Sequence, residues 1–263
     1  MTPEEGELTS AAQVIAEDDL NDDELLRYSR QIVLREVGGS GQARVRRAAV
    51  AVVGAGGLGS PALLYLAAAG VGRLTVIDDD TVALDNLGRQ VLYGVADVGR
   101  PKATSAATRL RALNPHVSVT PVRQRLDAGS ATALLEGHDV VLEGSDNFAT
   151  KLAVSDACVR LSIPVVIAGV LRFEGQVMTV LAGGPCYRCL VGEEPAPGLI
   201  PTCSAAGVLG AVAGVVGALQ AGEALRLLLG AGDPQGGRVL VIDALRPRLR
   251  RAPLAVDPRC PNH

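Results

Sequence analysis

The chain has 263 residues, 48 % apolar and 20 % charged, with a net charge of −3 and a sequence pI near 5.7. It is long enough to bury a sizeable core, and it carries no general electrostatic attraction to nucleic acid or anionic lipid. Aromatic residues are only 2 % and Trp is absent, which excludes a base-stacking platform; five cysteines do not make a disulfide framework, so a reduced, cytoplasmic setting is expected.

In chain order, residues 1–21 read as a flexible acidic leader without the basic and apolar regions of a secretory signal. "NDDELLRYSRQIVL" (21–34) supplies a polar cap and then apolar residues at helical spacing, so a helix is expected from about residue 22. From Ala48 onward, short β-branched runs at 48–53, 73–77, 117–122, 139–143, 164–168, 176–181 and 238–243 mark strands. Helical patterns at about 59–70, 100–113, 129–136 and 147–161 fill the gaps between the early runs. The early strands are apolar on both faces and alternate with helices, predicting a Rossmann-like, doubly wound α/β domain with a mostly parallel sheet. The later strands lack intervening helices, so an antiparallel C-terminal extension is expected within one domain spanning 22–263. "AAGVLGAVAGVVGALQAG" (205–222) approaches the length of a membrane span, but it is rich in Ala and Gly and runs on into Glu223 and Arg226. A buried, closely packed helix is expected there, and no membrane partner.

"VVGAGGLGS" (52–60) follows the first strand and opens a helix. Gly54, Gly56 and Gly59 fit G-x-G-x-x-G, with Gly57 added; such a loop lets backbone amides and a helix N-terminus approach phosphate. The second strand ends at Asp78, placed for ribose hydroxyls. These features alone suit an NAD-dependent oxidoreductase. The next segment suits a triphosphate better, because Asn86, Arg89, Gln90 and Lys102 add cations and amides for charge developing on a leaving pyrophosphate. Asp80 of the acidic run and Asn147 are counted with the nucleotide contacts. Asp146, at the end of the 139–143 strand, is a candidate Mg²⁺ ligand or a helix cap. Cys186 and Cys189 form C-x-x-C, and Cys260 and His263 form C-x-x-H, together the donor set of a closed Zn²⁺ site. The first pair is expected in a loop. Cys158 reads as core, and His116 and His138 as surface residues beside turns.

"RYSRQIVL" (27–34), "GAGGLGS" (54–60), "DNLGRQ" (85–90), "DVGRPKA" (97–103), "SDN" (145–147) and "CYRC" (186–189) occur in one order. By them the chain resembles the MoeB/ThiF/HesA group of E1-like activating enzymes from about residue 27 to its end. The resemblance implies an ATP-dependent adenylyltransferase that activates the C-terminal glycine of a small ubiquitin-like sulfur-carrier protein ending in Gly-Gly. It implies that the glycine loop and Asp78 hold ATP, that Asn86, Arg89 and Lys102 steer its phosphates, and that Asp146 holds Mg²⁺. It implies a homodimer in which Arg30 reaches the phosphates of the partner subunit. Zn²⁺ would be structural, with His263 in place of a family thiolate. Cys203 would be either a carrier-linking thiol or a half-buried cysteine without chemistry. The chain ends without an added sulfurtransferase domain, so a separate sulfur donor is expected, such as a cysteine desulfurase or rhodanese. Glu143 stands where the family often has Asp, and "AGVLRFEGQ" (168–176) departs from its usual segment. A non-catalytic, zinc-containing module that docks the carrier is the remaining alternative.

Overall fold

The computed structural model describes residues 20–194, 206–233 and 236–263. Helix α1 (Asp22–Ile32) starts where its cap predicts: the Asn21 side chain accepts from Glu24 N–H, and Glu24 reaches back to Asn21 N–H. Tyr28 is wholly buried, and its hydroxyl accepts from Asn114 Nδ2 at 2.8 Å, which pins this helix to the body.

β1 (Ala49–Val53) is buried at every position. Val50 and Val52 enter one core and Ala51 and Val53 the other, which is why a two-sided strand reads as an unbroken apolar run. Each such valine withdrawn from water contributes roughly 1.5–3 kcal/mol. α3 (Gly59–Ala68), β2 (Arg73–Ile77), α4 (Lys102–Leu113), β3 (Ser118–Val122), α5 (Ala131–Leu135), β4 (Val140–Glu143), α6 (Phe148–Leu161) and β5 (Val165–Leu171) complete the doubly wound part. β6 (Glu174–Val180), β7 (Arg238–Asp243) and β8 (Arg248–Pro253) add antiparallel strands. The eight-stranded order is β3-β2-β1-β4-β5-β6-β7-β8, with every pair from β3 to β5 parallel. The strand order reverses between β1 and β4, and the crevice outside their carboxyl ends is where such sheets bind ligands.

Several local features depart from the expected ones. α2 (Gly38–Arg47) forms despite glycines at 38, 39 and 41, because tertiary contacts hold it: Arg44 donates to Leu229 O at 2.8 Å, and Gln42 to Ala69 O at 2.9 Å. β5 and β6 grow toward each other into a hairpin that turns at Arg172, whose φ is 55°. β8 lacks apolar alternation and forms on the ladder offered by β7. His116 and His138 are half-buried rather than on the surface, and the His138 ring bonds Thr75 Oγ1 at 2.8 Å.

The long apolar helix is α8 (Gly210–Leu229), with α7 (Tyr187–Val191) before it. α8 is long and apolar enough to cross a membrane. It nevertheless packs against α3 and β4–β6, and polar side chains on its buried face bond to neighbouring strands. Gln220 donates to Glu143 O (2.8 Å) and Val166 O (2.7 Å), and Glu223 accepts from Thr179 Oγ1 (3.0 Å). That is a core helix.

Candidate active site

The glycine loop closes on itself through two residues and opens toward the crevice through two others. Gly54 has φ +86°, and a Cβ there would lie 2.9 Å from Ser145 N. A Cβ on Gly59 would lie 1.8 Å from Gly54 O, and Gly59 does not line the crevice. Gly56 and Gly57 do line it, and their nearest non-neighbour atoms would be 3.7 and 3.6 Å from an added Cβ. Gly59→Ala is therefore expected to cost about 3 kcal/mol of stability through overpacking, read as a lowered denaturant midpoint. Gly57→Ala should fold normally and weaken nucleotide binding instead; equal stability of the two variants would contradict this division.

Asp78 stands at the end of β2, and its carboxylate accepts from Ala55 N–H (2.7 Å) and Asp80 N–H (2.9 Å). Burial pushes its carboxyl up despite these bonds. Lys102, the first residue of α4, is buried, and its ammonium donates to Asp80 at 2.6 Å. Asp80, 64 % exposed at its side chain, thus holds Lys102 at the crevice wall. Arg89 Nη1 donates to Asp85 O at 3.0 Å. Asn86 is buried, and its amide bonds Asp85 Oδ1 and Ala83 N–H. Gln90 is 3 % exposed, and its Oε1 has no hydrogen-bond partner among the described residues. The bare backbone of Gly56 and Gly57, two cations and an orphaned buried amide oxygen fit a polyphosphate with its bound water.

Beyond β4, Asn147 rather than Asp146 caps α6, accepting from Thr150 N–H at 2.8 Å. Asp146 is exposed and makes no side-chain hydrogen bond to the described residues, leaving its carboxylate available for a cation. Gly54, Gly56, Gly57, Asp78, Asp80, Asn86, Arg89, Gln90, Lys102, Asp146 and Asn147 all line one cavity of about 790 Å³. Its lining continues over Gly169 of β5 and Gln176 of β6 to Val241 of β7. Arg30 points out from α1 and is not part of this lining; Cys203 lies outside the described residues.

The sequence reading missed a buried ion pair in the cavity wall. Glu143 is fully buried and accepts from Lys151 Nζ, from Ser145 N–H (2.8 Å) and from the Ser145 hydroxyl. Burial raises its carboxyl, and the Lys151 charge opposes that shift. The available signal was helical phase: Lys151 shares a face of α6 with Val154, Ser155 and Cys158, all at 0 % exposure. Tyr187 and Arg125 also line the cavity, and neither had been singled out.

A second cluster joins Cys186, Cys189, Cys260 and His263, whose ligand atoms all lie within 4.8 Å of one another. The first pair is not in a loop: Cys186 is the N-cap of α7. Asp156 of α6 clamps both halves, accepting two-pronged bonds from Arg188 (2.7–3.0 Å) and one from Asn262 Nδ2 (2.7 Å). Asn262 also donates to Cys186 Sγ at 3.4 Å; burial pushes that thiol up, but this and neighbouring hydrogen bonds bring it below its ordinary value. Three sulfurs and an imidazole, oriented by such outer contacts, fit a tetrahedral metal ion. Cys158 sits in the core, its thiol pushed up to about 12 by burial.

The ThiF family profile matches residues 28–262. The chain is 49 % identical over 238 residues to the SAMP-activating enzyme E1 of Haloferax volcanii, covering 90 % of this chain and 88 % of that one. It is 49 % identical over 245 residues to the sulfur carrier protein adenylyltransferase of Thermus thermophilus, covering 91 % and 90 %. It is also 49 % identical to the adenylyltransferase and sulfurtransferase MOCS3 of Sus scrofa, of which it spans 52 %. Among solved structures, Escherichia coli MccB shares the fold, with a TM-score of 0.80, 22 % identity and coverage of 96 % of this chain and 74 % of that one. By profile, identity and fold together, the chain belongs to the ThiF family.

Proposed function

We infer that the chain is an ATP-dependent adenylyltransferase that activates the C-terminal carboxylate of a small ubiquitin-like sulfur carrier ending in Gly-Gly. One observation carries this reading: Arg89, Lys102 and Asp146 meet the open glycines in a single cavity whose lining continues across β5–β7. A carboxylate oxygen of the carrier bonds to the α-phosphorus of ATP, the bond to the bridging oxygen breaks, and pyrophosphate leaves with its electron pair. No proton has to be removed from the nucleophile, so orientation and charge neutralisation supply the catalysis. Gly56 and Gly57 give the phosphates close access to backbone, Asp78 faces the ribose, and Arg89 with Lys102 receives the charge of the leaving group. Mg²⁺ held by Asp146 would add charge neutralisation at the phosphates.

Zn²⁺ is the metal best suited to the Cys₃His cluster, and its role is structural, joining the C-terminal segment to α6 and α7. Exposed Leu26 (77 %) on α1 and Val33 (76 %) at its C-cap flank Arg30 and support a homodimer in which Arg30 serves the neighbouring site. Sulfur comes from a separate donor, a cysteine desulfurase or a rhodanese, acting in the cytoplasm. The NAD-dependent alternative loses its support to the cation cluster and family membership.

The test is ATP–pyrophosphate exchange with purified chain and small Gly-Gly-ended proteins. Exchange that requires such a partner, and vanishes when its terminal glycine is removed, is the expected result. Exchange without a carrier would overturn the reading, and carrier binding without exchange would instead support the non-catalytic docking module.

A further inference from the structure

Glu143 ends β4, and Lys151, the fourth residue of α6, reaches it and lines the cavity. Lys151 also donates to Ala168 O in the middle of β5 at 2.6 Å, so one ammonium ties the end of β4 and the body of β5 to a helix. Burying such a pair is a poor way to gain stability, since desolvation offsets the attraction and apolar replacements are often neutral or better. Its other partner shows what the pair holds. Glu143 takes both the N–H and the hydroxyl of Ser145, the residue directly before Asp146. On the other side, Asn147 is fixed by capping α6. The Asp146 carboxylate itself has no hydrogen-bond partner among the described residues, so its placement depends on these two neighbours.

We propose that the Glu143–Lys151 pair is a positioning device for adenylation, fixing the Ser145 turn and through it the Asp146 carboxylate that serves Mg²⁺ at the nucleotide. The proposal rests on the adenylation reading above. The reach of the two side chains is matched. Asp at 143 draws the acceptor back by one methylene from both Ser145 and Lys151. Arg at 151 extends the donor and replaces a point charge by a fork.

The test is a square of wild type, Glu143→Asp, Lys151→Arg and the double variant. Calorimetric binding of a non-hydrolysable ATP analogue is measured across Mg²⁺ concentrations, alongside exchange kinetics and thermal unfolding. Each single variant is expected to raise the half-saturating Mg²⁺ concentration and lower the exchange kcat about tenfold, with Mg²⁺-free binding of the analogue within about twofold of wild type. The double variant regains the reach between the two side chains but not the grip on Ser145, so it should unfold near the wild-type temperature while keeping a raised Mg²⁺ requirement. Should the single variants fail to fold, Ser145→Ala keeps the ion pair and removes one of its grips on the turn; a Mg²⁺ requirement raised about threefold is then expected. Wild-type Mg²⁺ dependence in the single variants or in Ser145→Ala would overturn the proposal. So would a double variant with the wild-type Mg²⁺ requirement, or an equal loss of Mg²⁺-free binding. The Mg²⁺ titration needs no carrier, so it reports on the pair even if the wild-type chain gives no exchange with any Gly-Gly protein, which is how the adenylation reading itself would fail.

Discussion

Lys102→Ala is expected to reduce carrier-dependent ATP–pyrophosphate exchange by about 10³-fold, because a preorganised cation aimed at developing charge is worth roughly 10²–10³ in kcat. The effect should fall on turnover more than on nucleotide affinity, since the charge it meets grows as pyrophosphate departs. Stability should change little. The side chain is buried, but its partner Asp80 is 64 % exposed, so the carboxylate left behind is already hydrated. Asp146→Ala should give a similar loss for a different reason, with folding again intact because Asp146 is exposed and bonds nothing among the described residues. Radiolabelled pyrophosphate exchange, with melting curves as the folding control, reads both variants. Exchange within tenfold of wild type in either well-folded variant would remove that residue from the reaction.

Stripping the bound metal with a strong chelator, or replacing Cys260 with Ser, is expected to lower Tm by about 10 °C, since 1 kcal/mol shifts chains of 150–250 residues by about 2–4 °C. The physical reason lies in the clamp. Cys260 and Asn262 hold the chain terminus to Cys186 and Asp156, and the three sulfurs without a cation would be crowded into one small volume. Native protein should contain about one equivalent of zinc; less than half would count against the site. His263 is exposed, so His263→Ala should keep the metal but lose it faster to a competing chelator. Unchanged metal retention would remove His263 from the ligand set while leaving the three cysteines.

The parts of this molecule that were legible in the chain share a cause: they are local. A glycine loop after an unbroken apolar strand needs only neighbouring residues to declare itself, because positive φ at Gly54 and the Gly59–Gly54 contact belong to one turn. Asn21 announces the start of α1 in the same way, through a capping box closed within four residues. The two-sided burial of β1 follows from its composition, so the doubly wound half could be laid out in order. The Cys and His pairs were legible as well, because those side chains are scarce and each pair keeps the spacing of a metal ligand.

What the tertiary structure decided is everything that depends on which distant groups meet. α2 and β8 have weak local signals and form because Leu229 and Ala69 anchor one while β7 offers a ladder to the other. Lys151 looked like any helical lysine until the end of β4 supplied Glu143 and the middle of β5 the Ala168 carbonyl. Spacing alone likewise could not assign the cap of α6 to Asn147 and leave Asp146 open to the crevice. Sequence thus determined the elements of the doubly wound half, the glycine loop and the Cys and His pairs that come together, since propensity, period and donor spacing act within a few residues. Only the fold decided which buried charges find partners, because the cost of burying a charge is met or not by groups far away along the chain.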